Sequence, residues 1–168
     1  GASVGNFGLV WVQGKGVGMP QYATWTQRSA DDWAGFAATL KQETGIDVAF
    51  QRPGGFQLCL SEAELAARVG ALHRLEQEMG RRPYAYDVLD RRAVQAVLPA
   101  IGPEVVGATY CRLDGHCNAL RLFRALHLGL QQRGADYLAE HPVERIEFRG
   151  GTFHVATPRG ELSAGRIL

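Results

Sequence analysis

Cysteine is scarce: Cys59, Cys111 and Cys117 are the only three in 168 residues. An odd, widely spaced set is no disulfide framework, and it fits a reducing compartment such as the cytoplasm, where thiols stay free. Cys-x-x-Cys pairs, the usual mark of a zinc site, are missing as well. Charge of one sign is not in excess, with 18 Lys and Arg against 17 Asp and Glu. The short basic runs, Arg81-Arg82 and Arg91-Arg92, have acidic neighbours, so the basic face of a nucleic-acid binder is not expected. No apolar run approaches the roughly 20 residues of a membrane-spanning helix. The Gly-rich start lacks the basic-then-apolar order of a secretion signal. A phosphate-binding Gly-x-Gly-x-x-Gly is also lacking. Gly14-Lys15-Gly16-Val17-Gly18 is close in composition, but the spacing differs and no strong helix is expected directly after it.

What is present is globular: 46% hydrophobic and 21% charged residues, in a chain long enough for one domain with a real core. Gly1-Ala2 at one end and Arg166-Ile167-Leu168 at the other, without Met or a closing turn, lead to the expectation of a piece cut from a larger protein. On that view the apolar stretch Leu9-Val10-Trp11-Val12 and the pair Ile167-Leu168 are candidates for exposed terminal segments through which the chain self-associates, or one of which is disordered, while residues 20–134 pack well.

The pattern along the chain predicts mixed α and β structure. Residues 1–18 read as loop, short strand, loop. Two helical segments follow: one from Pro20 through Tyr22 to Arg28, then one capped by Ser29 and running to Gly45, with Trp33, Phe36, Ala37 and Leu40 on one face. Val48 to Gln51 and Phe56 to Leu60 read as a hairpin across Arg52-Pro53-Gly54-Gly55. Ser61 and Glu64 form a capping box for a helix with Leu65, Val69, Leu72 and Met79 inward and Gly80 at its end. Tyr84 to Val88 is a strand, Asp90 caps a helix to Leu98, and Val105 to Cys111 is a strand before a turn at Leu113-Asp114-Gly115-His116. Asn118 caps an amphipathic helix with Leu120, Phe123, Leu126 and Leu130 facing inward and Gly134 at its end. Three strands follow, Asp136 to Ala139, Val143 to Phe148 and Thr152 to Ala156, with Gly150-Gly151 turning the last pair; another apolar segment begins at Leu162. The fold class is α+β, with a largely antiparallel mixed sheet and amphipathic helices.

Few side chains advertise chemistry. Gly5-Asn6-Phe7-Gly8 suits either a loop that brings backbone close to a cofactor or an ordinary turn. Cys111, His116 and Cys117 lack the ligand spacing of a metal site, and an orienting partner for a nucleophile is not visible. His73, His127, His141 and His154 stand singly. Asp31, Asp32, Glu76 and Glu78 fall on helix starts or polar faces, where solvation is the default.

Stretches in a fixed order carry a resemblance. They are Ala2-Ser3-Val4-Gly5-Asn6-Phe7-Gly8, then Pro53-Gly54-Gly55-Phe56-Gln57-Leu58 before a capped helix, then Gly107-Ala108-Thr109-Tyr110 with Asp114-Gly115-His116, a helix and Gly134-Ala135. Val143-Glu144-Arg145-Ile146 and Thr157-Pro158-Arg159-Gly160-Glu161-Leu162 continue the order. Together they resemble the D-amino-acid oxidase superfamily, which includes glycine oxidase, sarcosine oxidase and D-amino-acid dehydrogenase. The resemblance implies an internal fragment of a FAD-dependent oxidoreductase. Residues 1–18 would be a flavin-proximal loop and strand of the FAD domain. Residues 19–134 would form the substrate-side domain, with Gly54 to Tyr110 roofing the substrate. Residues 135–168 would be truncated strands returning to the FAD domain. Ser3, Asn6, Phe7 and Gly8 would lie near the flavin, and Val143 near its adenine end. The implied chemistry is oxidation of the C–N bond of an amino acid or related amine, with FAD as cofactor of the parent and none held by this chain alone. The missing N- and C-terminal parts would be its partners, with no nucleic acid and no membrane span. Where the family has an acid or Asn followed by Pro, this chain has Cys117-Asn118-Ala119, which leaves a functional role for His116 unsupported. A self-contained, non-catalytic α+β binding module is the competing reading.

Overall fold

A computed structural model describes residues 5–80 and 85–168; Ser3 and Tyr84 lie outside them. Two compact units divide the chain, Gly1–Gly129 and Leu130–Leu168.

The first unit is built on one long helix. After the short strand β1 (Leu9–Val10), α1 runs unbroken from Pro20 to Thr44, with Pro20 in the first turn and Gly45 as a left-handed C-cap. Two helices were expected. Ser29 sits in mid-helix and caps nothing, because Ala23, Gln27 and Ala30 form one continuous buried face across the expected break. A strong helix therefore does begin just after Gly18, against expectation. The strand β2 (Gly55–Cys59) is followed by α2 (Glu62–Met79). Ser61 Oγ accepts from the Glu64 N–H at 3.1 Å, and the Glu64 carboxylate accepts from the Leu60 N–H at 2.7 Å. That is the expected capping box, with its return bond shifted back one residue.

The expected hairpin between residues 48–51 and β2 does not form. Gln51 makes only an isolated bridge to His116. Instead β2 pairs with β4 (Gly107–Cys111), which also pairs with β3 (Asp87–Asp90), giving an antiparallel sheet in the order β2-β4-β3. The non-local partner wins because β4 offers a full five-pair register, Gly55↔Cys111 to Cys59↔Gly107, and buries Gly107, Ala108, Thr109 and Cys111. Asp90 caps α3 (Arg91–Val97) through the Ala93 N–H at 2.8 Å. The strand β5 (Gly115–His116) stands where only a turn was expected and pairs with β1.

The core lies between α1, α2 and β1. Val10, Val12, Ala23, Ala30, Leu72, Leu75 and Cys111 form one buried cluster, and Leu40, Val48, Cys117 and Ala125 a second. Each large apolar side chain removed from water here contributes about 1.5–3 kcal/mol. Val10 and Val12 were candidates for an exposed terminal segment; both are core residues, while Leu9 alone of that stretch is mostly exposed.

Helix α4 (Ala119–Gln132) starts at Asn118, whose side chain accepts from the Arg121 N–H at 3.0 Å. Its orientation reverses the expectation: Ala125 and Gly129 are buried, while Leu120, Phe123, Leu126 and Leu130 are exposed. The second unit is a three-stranded antiparallel meander, β6 (Arg145–Arg149), β7 (Thr152–Thr157) and β8 (Gly160–Ala164). Gly150 and Gly151 make the expected turn at positive φ, but residues 136–139 form no strand. One face of the meander carries Arg149, Glu161 and His154, with His154 Nδ1 and an Arg149 N–H each 2.9 Å from a Glu161 oxygen. These neighbours hold the Glu161 carboxyl below its ordinary pKa, His154 most strongly. Among the described residues no helix is long and apolar enough to cross a membrane.

Candidate functional site

A hollow of about 320 Å³ opens beside β1, lined by Asn6, Phe7, Leu9, Trp11 and Lys15. Of the residues that the resemblance put near a cofactor, Asn6 and Phe7 line this hollow and Gly8 stands beside it in the chain without lining it. Sequence reasoning missed Trp11 and Lys15.

The loop before β1 is tightly wound. Asn6 Oδ1 accepts from the Gly8 N–H at 2.6 Å, an Asx turn that leaves the Phe7 ring 88% exposed at the rim. Gly8 has φ of +72°, and a Cβ there would meet the Cys117 carbonyl oxygen at 2.1 Å. The Gly8 carbonyl accepts from the Cys117 N–H at 2.8 Å. Glycine at this position is therefore demanded by the chain's own backbone.

Trp11 is fixed from two sides. Its indole N–H donates to the Gln13 carbonyl at 2.9 Å. Its ring lies over Gly55, where a Cβ would come within 2.5 Å of the ring. Gln13 in turn is clamped by Asp114, a carboxylate with no exposed surface. One Asp114 oxygen accepts from the backbone N–H groups of Val12 at 2.6 Å and Gln13 at 3.1 Å; the other faces Gln13 Nε2 at 3.3 Å. Gln13 Nε2 also reaches the Gly55 carbonyl at 3.2 Å, and Gln13 Oε1 accepts from the Thr109 hydroxyl. Arg68 Nε reaches that hydroxyl at 3.4 Å. A chain Arg68–Thr109–Gln13–Asp114, buried from Thr109 to Asp114, thus ties the segment after β1 to the β2-β4-β3 sheet. Burial raises the Asp114 pKa above its ordinary value, with the Val12 and Gln13 donors acting in the opposite sense.

Other sequence candidates do not assemble into a site. Cys111 and Cys117 are buried free thiols, as is Cys59; burial pushes Cys111 up to about 11. No cluster of three or more metal-ligating side chains occurs among the described residues. Val143 lies in the second unit, exposed and just ahead of β6, where the Glu144 N–H extends the ladder to the Ala156 carbonyl at 2.9 Å.

The arrangement suits a flat organic group. An exposed ring, an amide and a rigid indole wall border one concave patch with a single cation. These features define a candidate binding surface on an α+β fold. The family profile described as FAD dependent oxidoreductase (DAO) matches residues 1–167, and the chain belongs to that family. An opine oxidase subunit of Agrobacterium tumefaciens (strain Ach5) is 45% identical over 98% of this chain, which covers 46% of that protein. Glycine oxidase of Bacillus licheniformis is 29% identical over 74% of the chain and 31% of its own length. In fold, glycine oxidase from Geobacillus kaustophilus superposes with a TM-score of 0.83 at 22% identity, covering 98% of this chain and 44% of that one. The chain spans about half the length of the curated opine oxidase relatives it matches. The expected α+β class and superfamily resemblance both hold, and the family depends on FAD.

Proposed function

We propose that these residues are part of a longer FAD-dependent oxidoreductase that oxidises the C–N bond of an amino acid or related amine. The names of relatives, opine oxidase and glycine oxidase, support an amino-acid-derived amine as substrate. That the opine oxidase relatives are subunits supports a second polypeptide as partner. The buried free thiols support a cytoplasmic setting. The observation that carries the reading is the hollow bordered by Asn6, Phe7 and the clamped Trp11.

In this reading Ser3, Asn6, Phe7 and Gly8 lie beside the flavin, and Val143 serves its adenine end through the backbone. Residues 1–18 belong to the FAD domain, 19–134 to the substrate side, and 135–168 return to the FAD domain. FAD, when bound, would supply a hydride acceptor for oxidation of the substrate's C–N bond to an imine that water hydrolyses. The chain's own contribution is position. Phe7 and Trp11 present flat walls, and Asn6 offers an amide at the rim.

The test is the complete flavoprotein with Asn6→Ala and Phe7→Ala. Flavin content should fall or its absorbance shift. Full flavin content and turnover in both variants would reject the loop assignment. The 168-residue chain alone should be colourless as purified, because it contains no Gly-x-Gly-x-x-Gly to hold a pyrophosphate; a stoichiometric yellow chromophore would contradict that.

A further inference from the structure

We infer that Thr109 is a positioning residue for the oxidation, acting through Gln13 on Trp11, so that the β2-β4-β3 sheet sets one wall of the hollow. The inference rests on the proposed C–N oxidation and adds to it a residue that does not itself line the hollow. Thr109 is fully buried in the middle of β4, opposite Gln57 on β2 and Val88 on β3. Its hydroxyl has a fixed sense. Arg68 Nε donates to the Thr109 oxygen at 3.4 Å, and the hydroxyl proton is left to donate to Gln13 Oε1. The Gln13 amide then has one satisfied orientation. Its Nε2 faces two acceptors, the Gly55 carbonyl at 3.2 Å and Asp114 Oδ2 at 3.3 Å; turned over, it would set an oxygen against both.

Gln13 reaches both supports of the Trp11 ring. The indole N–H donates to the carbonyl of Gln13 at 2.9 Å. The ring lies over Gly55, whose carbonyl the Gln13 amide holds. Asp114 fixes the Gln13 backbone separately, through its N–H at 3.1 Å. Without the Thr109 hydroxyl, Gln13 Oε1 becomes a buried acceptor with no donor among the described residues, and the amide is no longer held in that orientation. The Gly55 carbonyl and Asp114 Oδ2 then lose their donor, and the seat of the ring shifts relative to its anchor. Rate is sensitive to such a shift, because reacting groups must be held in near-attack geometry.

The test uses the complete flavoprotein, with kcat and absorbance expressed per bound flavin. Thr109→Val keeps the side-chain shape and removes the hydroxyl. It should lower kcat about 10-fold, less than the roughly 100-fold that a misplacement of about 1 Å can cost, and shift the flavin absorbance. Thr109→Ser keeps the hydroxyl and should restore both. Trp11→Phe removes the indole N–H, so combined with it Thr109→Val should lower kcat by less than about 2-fold further. A structural role alone would leave the two substitutions additive. Wild-type kcat and absorbance per bound flavin in Thr109→Val overturn the inference, whatever its flavin content. So do a Thr109→Ser variant as impaired as Thr109→Val, and equal fold losses from Thr109→Val with and without Trp11→Phe. A Thr109→Val protein that holds no flavin in either background overturns it in favour of a structural role. A wild-type protein without flavin refutes the proposed function itself, before any variant is compared.

Discussion

Asp114 is the strongest test of how the site is held. Asp114→Ala withdraws the acceptor from the backbone N–H groups of Val12 and Gln13 and from Gln13 Nε2, all buried. The amide keeps the Gly55 carbonyl, so the loss falls on the two backbone donors. A buried donor deprived of its acceptor costs about 1–3 kcal/mol. Relief from burying a carboxylate offsets part of that, leaving a net loss of about 2–4 kcal/mol. Against a whole-domain stability of about 5–15 kcal/mol this is large. Asp114→Asn keeps an oxygen for both backbone donors and removes the charge; it should cost less than about 1 kcal/mol. Urea unfolding followed by tryptophan fluorescence measures both. The pH dependence has a definite sign. Burial holds the Asp114 pKa above its unfolded value, so the folded state favours the protonated acid. Stability from this group is fully present below about pH 4, the unfolded pKa, and is lost as pH rises through the folded pKa. Asp114→Asn should therefore gain on wild type across that interval and run level above it. An Ala variant as mild as Asn, or no pH-dependent difference, would refute the clamp.

Gly8→Ala should destabilise the first unit whether or not flavin is present, because its Cβ collides with the Cys117 carbonyl at 2.1 Å; an effect seen only in the flavin-bound state would contradict this. Cys59, Cys111 and Cys117 are buried, with pKa values raised chiefly by that burial. A thiol reagent should find none of them quickly reactive in the native chain and all three after denaturation. Gln27 is fully buried on α1 and its amide has no protein partner among the described residues. Gln27→Met should therefore stabilise by about 1–2 kcal/mol, and a loss measured by the same urea curves would show that the amide is satisfied. On α4, Phe123→Ser with Leu126→Gln should change stability by less than about 1 kcal/mol, whereas Ala125→Leu should cost about 1–3 kcal/mol by overpacking; the reverse ranking would mean the helix is turned the other way.

Local chemistry was the readable part of the sequence. Ser61 with Glu64, Asp90, Asn118, Gly45 and the Gly150-Gly151 turn each act within a few residues, and each stands where the pattern put it. Non-local pairing was not readable. Gln51 and Phe56 flank an obvious turn, yet Phe56 pairs with Tyr110 and Gln51 meets His116; nothing near the turn reveals that a stronger strand lies more than fifty residues on. The site divides the same way. Asn6 and Phe7, singled out through the resemblance, line the hollow. Trp11 and Lys15 were not singled out, because their placement depends on Val12 and Gln13 meeting an aspartate about a hundred residues away. The one available sign was Asp114 itself, an acid in a turn between two buried stretches, read as a turn former and as part of the resemblance but not as a buried clamp.

Helix α4 shows why a clear period can still mislead. Its apolar residues make two stripes rather than one. Leu122, Ala125 and Gly129 follow one side, and Leu120, Phe123, Leu126 and Leu130 the other. Judged by bulk, the second stripe should be inside, since it carries more apolar area and more transfer free energy. The structure buries the first, where small side chains at Ala125 and Gly129 let the helix approach the second core cluster with Leu40, Val48 and Cys117. Close approach and good packing density outweigh the larger area when the partner surface is already filled. Periodicity reports that a helix has an apolar side; which side is covered depends on the shape of what it meets. The same reasoning applies to Trp11, whose ring can lie against the sheet only because Gly55 has no side chain. In both places a missing side chain, rather than a large apolar one, decides the geometry.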